Sequence, residues 1–377
     1  MIERADAPES SQLDLLLGDR IRLRLRDAGT AQLAAATRQF GIDPIPASGS
    51  AHLTIRYVEK LPGTLQLIGH DAGWIDDRFF LLRGGRRATL AFDAIGTPDF
   101  TIECERAIGL PPQIVPIVNV VALANGILPL HASAAVLAGQ GVAFAGWSKG
   151  GKTEALLAAM EAGGDPVADE WLFVDPATRS ITTMLQPIRL EDVHLAQLPR
   201  HRAEIGRGKR AVIAAASALG RQFDAFAGTR AARRRPVRWM HRLGPFVEAR
   251  RHVDLPASRL LRAPVGTRVR RLDRVILIGS STQPRTTARD VDRSTVVARM
   301  AMAHQHHRSN LLDAYQMFLF AFPERRSSVM DRLEHLETAL LEAALPLQES
   351  DFIEHPYPAS IRELRDIIVR LLDVSAA

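Results

Sequence analysis

The sequence of 377 residues predicts an α/β protein in three parts. The first is an N-terminal α+β accessory unit made mainly of β-strands (1–108). A P-loop core with a mixed sheet (109–290) and a C-terminal helical region (291–377) follow. Three observations lead to this prediction. A glycine-rich phosphate-loop motif lies between a strand-like and a helix-like segment. Short apolar runs separated by turns precede this motif, and long helix-like runs, each followed closely by a proline, come after it.

The N-terminal part is typical of β-strands joined by turns. Turn residues such as Pro62-Gly63 and Gly84-Gly85 separate its short apolar runs. We expect one helix in this part, near Thr30–Phe40. The predicted strands are His52–Val58, Thr64–Ile68, Arg78–Leu82, Ala88–Phe92 and Phe100–Cys104. Cys104 is the only cysteine, which excludes an internal disulfide, and we interpret it as an inert core residue of a cytoplasmic protein.

Two further regions are predicted to be helical. The longest apolar stretch, Ile114–Leu130, is interrupted by proline, asparagine and glycine and falls short of the roughly 20 apolar residues that a membrane span needs, so we expect a buried helix and no membrane partner. The C-terminal runs Thr295–Phe320, Ser327–Leu345 and Ser360–Leu372 also fit helices. Ser360 is a candidate N-cap, and Glu363 completes a capping-box pattern.

The phosphate-loop (Walker A) motif G-x-x-x-x-G-K-[ST] spans residues 146–153. A strand-like run, Gly141–Ala145, precedes it, and helix formers, Glu154–Met160, follow it. Backbone N–H groups and the helix N-terminus would hold phosphates, Lys152 would reach the β- and γ-phosphates, and Thr153 would bind Mg²⁺. The alternative is a chance glycine-rich turn. The predicted nucleotide-binding residues are Gly146, Trp147, Ser148, Lys149, Gly150, Gly151, Lys152, Thr153 and Glu154.

Ionisable residues flank the loop on both sides. His131 lies at the start of a predicted hairpin that turns at Gly139-Gln140-Gly141 and leads into the loop. Downstream, Val167–Asp175 is predicted as one strand, in which Asp169 and Glu170 would point to opposite faces and do different work. An acid beside the γ-phosphate can bind Mg²⁺ or accept a proton. The alternatives are fold-stabilising acids and a satisfied core histidine.

His131, the loop with Glu154 after it, and the Val-Ala-Asp-acid segment resemble bacterial HPr kinase/phosphorylase and the HPr-kinase-like proteins over about residues 109–200. The segments 186–190 and 255–261 also resemble later parts of these relatives. The resemblance implies a kinase core of the HPr kinase/carboxykinase type, with ATP and Mg²⁺ as cofactors. It implies catalytic roles for Asp169, His131 and Lys152 and a metal ligand at Thr153.

The sequence departs from the family at two points. The acid pair is Asp-Glu where the family usually has Asp-Asp, and a segment of the form E-[IL]-R-G is not found. Glu191 is the nearest acid at a comparable distance, so we name it with Glu170 as a further metal ligand. Arg189 is our choice for a side chain that faces the γ-phosphate. The resemblance therefore favours a kinase-like nucleotide site over any particular acceptor.

We predict a serine-kinase-like phosphotransferase that moves the γ-phosphoryl group of Mg²⁺–ATP to a hydroxyl of a peptide or small protein. Three alternatives stay open: an NTPase or nucleotide-gated regulatory protein without phosphotransfer, a small-molecule kinase or carboxykinase relative, and a nucleic-acid-binding protein. The last would explain the net charge of +6, much of which lies between Arg200 and Arg274, above all in Arg230–Trp239. Without interleaved aromatics, however, this run favours a solvated loop over a nucleic-acid site.

Three histidines lie within four positions, at His304, His306 and His307. Metal-binding helices prefer a spacing of four residues, and no third ligand is evident. We therefore interpret the cluster as a surface or subunit contact, which allows a homo-oligomer.

Overall fold

The computed structural model describes residues 12–98, 100–183, 188–227, 252–255, 270–346 and 350–373. The predicted α/β class is confirmed, because the described chain combines several mixed sheets with helices. The basic run at 230–239 lies outside the described residues, as do residues 186–187 and 256–261 of the segments that resemble the family.

The described residues between Gln12 and Glu105 form a nine-stranded sheet with one α-helix, α1 (Thr30–Phe40), at the predicted position. Its strands in spatial order run β3-β1-β2-β4-β9-β8-β7-β6-β5. The bounds are β1 Gln12–Leu17, β2 Ile21–Arg26, β3 Ile45–Pro46, β4 Leu53–Val58, β5 Gln66–Ile68, β6 Ala72–Ile75, β7 Arg78–Arg83, β8 Arg86–Thr89 and β9 Thr101–Glu105. Five of these strands correspond to predicted runs, and β1, β2, β3 and β6 were not predicted.

The hairpin of β1 and β2 shows why this sheet is stable and why its first strand is hard to recognise. In β2, buried leucines alternate with arginines that point outward. In β1 the fully buried residue Asp14 interrupts the apolar pattern. Its carboxylate accepts hydrogen bonds from Arg22 and Arg24 at 2.9 Å each. A buried charge is tolerated when it is paired in this way, but its presence hides the strand from a hydrophobicity pattern.

A six-stranded sheet of order β13-β11-β12-β19-β21-β20 forms the centre of the second part. Its strands are β11 Ala132–Leu137, β12 Gln140–Ala145, β13 Asp165–Ala168, β19 Arg274–Ser281, β20 Thr287–Val291 and β21 Ser350–Pro356. Strands β12, β19 and β21 are parallel neighbours, so their carboxyl ends lie at one edge. The predicted hairpin before the loop is confirmed as β11 and β12.

Two smaller sheets and several helices complete this part. The sheets are β10-β14-β15-β18 (Leu128–Leu130, Leu172–Val174, Ser180–Thr183, Arg270–Arg271) and β16-β17 (Ile188–Glu191, His252–Leu255). The helices are α2 Ile114–Ala124, α3 Lys152–Glu161, α4 Asp192–Gln197, α5 Pro199–Glu204 and α6 Arg207–Ala227. Helix α2 is buried along most of its length, as predicted from its apolar sequence. Among the described residues, we find no helix with the length and hydrophobicity of a membrane span.

Where the structure describes the C-terminal region, it carries four helices, α7 Arg293–Ala321, α8 Ser328–Asp331, α9 Leu333–Ala344 and α10 Ile361–Leu371. It is not entirely helical, because β21 inserts between β19 and β20 in the central sheet. The predicted N-cap is confirmed: the Ser360 hydroxyl accepts the backbone N–H of Glu363 at 3.3 Å. The Glu363 carboxylate is bonded to the Thr286 hydroxyl at 2.7 Å.

Candidate functional site

The phosphate-loop motif occupies the edge where three parallel strands end. The loop leaves β12 and enters helix α3 at Lys152, with Gly151 at φ 99° and Lys149 at φ 60°. A β-carbon on Gly146 would lie 2.2 Å from the carbonyl oxygen of Ile278 in β19, so only glycine fits there. The loop therefore lies directly against the neighbouring strand, at the position where open α/β sheets bind ligands.

His355 at the end of β21 supports the loop from behind, a contact that was not predicted from the sequence. Its Nε2 lies 2.9 Å from the carbonyl oxygen of Gly150. A β-carbon on Gly151 would approach the same ring nitrogen to 2.1 Å. The fully buried imidazole thus fixes the turn that precedes helix α3.

Lys152 is the most deeply buried lysine of the site, with 8% of its surface exposed. Its Nζ lies 3.0 Å from the carbonyl oxygen of Trp147 and 3.4 Å from that of Gly146. Burial lowers the pKa of the ammonium group, and the carboxylates of Glu170, Asp169 and Glu154 act in the opposite direction. The loop thus holds a cation that is poorly hydrated and close to acids.

Asp169 lies beside the loop, where its two carboxyl oxygens are each 3.2 Å from the Thr153 hydroxyl. Burial and, second, the nearby charge of Glu170 raise the pKa of Asp169 to about 7. At neutral pH this carboxyl therefore exists in both protonation states, which suits a group that exchanges protons.

The predicted single strand through both acids is wrong. The chain leaves the central sheet after Ala168 and joins another sheet at Leu172. Between them, Trp171 N–H bonds to Asp169 O at 3.1 Å across Glu170, which has φ 74°. Such a positive-φ γ-turn is rare and strained, and strained backbone clusters at functional sites. The turn lets neighbouring acids contact the same site, where a regular strand would separate them.

His131 and Glu170 form a pair next to Asp169. The Nε2 of His131 lies 3.1 Å from the Glu170 carboxylate. Burial lowers the pKa of His131 to about 3, and the bond to His131 lowers that of Glu170 to about 2. A neutral imidazole therefore donates its Nε2 proton to an ionised carboxylate. Its Nδ1 is buried and has no partner among the described residues.

A buried network of charged groups holds His131 in place. The backbone N–H of His131 donates to Nε2 of His304 at 3.1 Å, so the His304 proton resides on Nδ1, 3.0 Å from Glu337. Arg308 donates both terminal nitrogens to Glu337 at 2.6 and 2.5 Å. All three supporting side chains are at most 1% exposed. Helices α7 and α9 thus position the catalytic candidate His131.

The interpretation of the histidine cluster as a surface or subunit contact is therefore wrong for His304. It also fails for His307, whose ring centroid lies 3.7 Å from that of His131. Burial lowers the pKa of His307 to about 4. Only His306 is exposed, and it stacks on the loop residue Trp147 at 4.6 Å. Helix α7 thus brings the cluster to the phosphate-loop motif and His131, an arrangement that needs long-range contacts the sequence does not show.

Three predicted site residues lie apart from this group. The Glu154 carboxylate is bonded to Nε2 of His194 on helix α4 at 3.1 Å. Glu191 caps the same helix, and in the described part of the chain no hydrogen bond joins its carboxylate to Thr153, Asp169 or Glu170. Arg189 is exposed on β16 and, with Glu170, lines a cleft that faces the N-terminal unit. Ser148, which was also predicted to bind nucleotide, lies in the turn between β12 and α3.

An apolar cavity of about 410 Å³ also adjoins the loop. Trp147, Met302 and Phe352 are among its lining residues, together with Gly146 itself. Trp147 is 51% exposed and Met302 47% exposed. A flat apolar ligand group could therefore lie next to the phosphate loop.

We expect Asp169→Asn to stabilise the protein, increasingly so as the pH rises. The pKa of Asp169 is raised on folding from 3.8 to about 7, so the buried carboxyl stabilises the fold at low pH and loses this advantage as the pH rises through 7. Asparagine stays neutral throughout. In urea unfolding, the gain should grow from about 1 kcal/mol at pH 4.5 to as much as about 4 kcal/mol at pH 8. A gain independent of pH would contradict the burial of an ionisable Asp169.

The comparison with known proteins adds no relative. No protein-family model matches the sequence. A search among curated proteins gives no significant match either. The site is therefore interpreted from its own chemistry.

Proposed function

We propose that the protein is an ATP-dependent phosphotransferase with an HPr-kinase-like P-loop core, which transfers the γ-phosphoryl group of Mg²⁺–ATP to a hydroxyl. One observation carries this proposal: the loop cation Lys152, the Thr153 hydroxyl and the buried carboxyl of Asp169 meet at a single helix N-terminus. Phosphoryl transfer needs phosphate positioning, a metal-binding hydroxyl and a proton acceptor, and little other protein chemistry.

A nucleotide fits the loop and the cavity beside it. The start of helix α3 and the N–H groups of the glycine-rich turn suit the phosphates. The apolar cavity lined by Trp147 and Phe352 suits a base, because it begins at Gly146 within the loop. Lys152, already close to the loop carbonyls, would turn toward the β- and γ-phosphates.

The oxygen ligands at the loop also fit Mg²⁺. Among the described residues, no three His, Cys, Asp or Glu side chains form a group that could hold a metal. Mg²⁺ at kinase sites is usually bound by one or two carboxylates together with the substrate phosphates and water. The Thr153 hydroxyl would hold it together with the phosphates and water, and Asp169, 3.2 Å from this hydroxyl, would lie beside the ion as the proton acceptor. Bound there, the ion would offset charge that develops on the transferred phosphoryl group.

The proton of the acceptor hydroxyl passes to Asp169 in the proposed reaction. The hydroxyl oxygen attacks the γ-phosphorus, the bond between this phosphorus and the β,γ-bridging oxygen breaks, and ADP leaves with that electron pair. A pKa near 7 lets Asp169 accept the proton at neutral pH. Glu170 stays ionised, since His131 donates to it, and this charge favours proton uptake by its neighbour.

Asp169→Asn should abolish transfer while nucleotide binding persists. The assay follows label from γ-labelled ATP into a pool of serine-containing peptides, with binding of Mg²⁺–ATP measured in parallel. We expect the variant to lose about 100-fold or more in transfer rate, the range of general base catalysis. Asp165→Asn, at an exposed position four residues earlier in the same segment, is the matched control.

The same assay separates the proposal from its main rival. If the wild-type protein binds Mg²⁺–ATP but releases only inorganic phosphate, or releases none, it is an NTPase or a nucleotide-gated regulatory protein. If Asp169→Asn loses binding of Mg²⁺–ATP but retains binding of metal-free ATP, Asp169 is a metal ligand first. Transfer at the wild-type rate by this variant would exclude Asp169 as the base.

A further inference from the structure

A cleft of about 620 Å³ lies between the N-terminal unit and the nucleotide site. Helix α1 contributes Arg38, strand β7 contributes Arg83 and strand β16 contributes Arg189. Glu170 also lines the cleft, and its carboxylate is bonded to His131 at 3.1 Å. The cleft therefore reaches the proposed reaction centre, and its volume is within the usual range of about 300–1,000 Å³ for ligand sites.

The charged groups of the cleft are mostly cationic. Arg189 is engaged in an interaction of its own, which leaves the guanidinium groups of Arg38 and Arg83 against one lining carboxylate, that of Glu170. Arg38 and Arg83 are exposed, and neither forms an ion pair or hydrogen bond with another residue in the ranges that the structure describes. Arginines without counter-ions attract anions and bind carboxylates through two parallel hydrogen bonds. The cleft thus selects an anionic ligand.

The cleft and the apolar cavity beside the loop have no lining residue in common. The cavity is lined by the loop residue Trp147, whereas the cleft is lined by Glu170, the neighbour of Asp169. A transferase needs two such sites, one for the donor and one for the acceptor. Since the apolar cavity suits a base, the arginine-lined cleft suits the acceptor.

Apolar side chains line the cleft as well. Leu110, Pro111 and Ile114 come from the segment that leads into helix α2. Because Arg38 and Arg83 stand on separate elements and an apolar segment accompanies them, an extended ligand with more than one carboxylate matches the cleft better than a compact anion.

We propose that this cleft binds the acceptor and that the acceptor is an acidic peptide, with carboxylates held by Arg38 and Arg83 and a hydroxyl directed toward Glu170 and Asp169. The assignment of this peptide as acceptor rests on the proposed phosphotransfer. Binding of the peptide does not, and it can be measured without turnover.

The test measures binding of fluorescein-labelled peptide pools with a central serine, in the presence of Mg²⁺–ADP. The flanking positions carry Asp and Glu, Asn and Gln, or Lys and Arg. We expect the acidic pool to bind most tightly, and Arg38→Ala and Arg83→Ala each to weaken it about tenfold, as for loss of a hydrogen bond between charged groups. Arg86→Ala, an exposed position opposite Arg83 on the same hairpin that does not line the cleft, should bind as wild type.

Each failure has its own meaning. Equal binding of the three pools, or unchanged binding by both cleft variants, overturns the acidic-peptide proposal even if ATP binds normally. If malate competes at the concentrations at which the acidic pool binds, the cleft binds a small hydroxy acid. The acidic-peptide proposal is then overturned. If binding of the acidic pool requires Arg38 and Arg83 but ATP does not bind, the cleft is confirmed as a site for acidic peptides. The proposed phosphotransfer is then wrong.

Discussion

The Lys152→Ala variant is expected to bind Mg²⁺–ATP about 100-fold more weakly than the wild-type protein, which corresponds to the loss of charge-assisted hydrogen bonds to phosphate. Lys152 is 8% exposed, and no other lysine in the described chain is buried. Its charge acts on phosphates in surroundings from which water is largely excluded, which strengthens the interaction. Isothermal titration with Mg²⁺–ATP measures the effect.

The fold should tolerate this substitution, since burial lowers the pKa of Lys152 and the charged group is therefore costly in the free protein. Unfolding in urea is thus expected to be unchanged or shifted to higher concentration. Lys60→Ala, at an exposed position of the N-terminal unit, is the matched control. Undiminished ATP binding by Lys152→Ala would show that the motif is only a turn before a helix.

The second large effect concerns stability. Glu337→Gln is expected to lower the free energy of unfolding by about 3–5 kcal/mol, because it leaves the guanidinium group of Arg308 buried without a counter-charge. Arg308 is 1% exposed, so water cannot replace the lost partner. Urea unfolding gives the value, and Glu334→Gln, at an exposed position of the same helix, should be neutral.

A double variant makes this prediction specific to the ion pair. Arg308→Met combined with Glu337→Met removes both charges and should be less destabilised than Glu337→Gln alone, since an apolar pair can replace a buried ion pair. If the double variant is as unstable as the sum of the single ones, the two groups are not coupled in the way that the contact implies.

The sequence predicted the features that depend on local chemistry. The glycine-rich turn between strand and helix, the hairpin before it and the N-cap at Ser360 follow from glycines, alternation and a capping residue that lie within a few positions of one another. The γ-turn at Glu170 escaped prediction, because its positive φ occurs without glycine or asparagine. Strand β21 escaped it because its buried face carries Asp351 and His355, which are satisfied by Arg274 and Gly150 only in the folded sheet.

The support of His131 could not be predicted for a related reason. Its backbone partner His304 lies 173 residues further along the chain. Polar groups that satisfy each other over such a distance show no period and no spacing in the sequence. The same holds for the cleft, whose arginines on α1, β7 and β16 come together only when the N-terminal unit packs beside the segment that carries Glu170.

The position of β21 also constrains when the site can be assembled during synthesis. The nine-stranded sheet uses a continuous stretch that ends at Glu105, so it can form while most of the chain is still being translated. The central sheet must wait, because a strand that ends at Pro356 is inserted between two strands that end at Ser281 and Val291. Until the ribosome has passed that strand, the nascent phosphate loop has no His355 behind it and its sheet has an open edge. A pause in translation just before residue 350 would therefore expose an incomplete central sheet to chaperones and proteases.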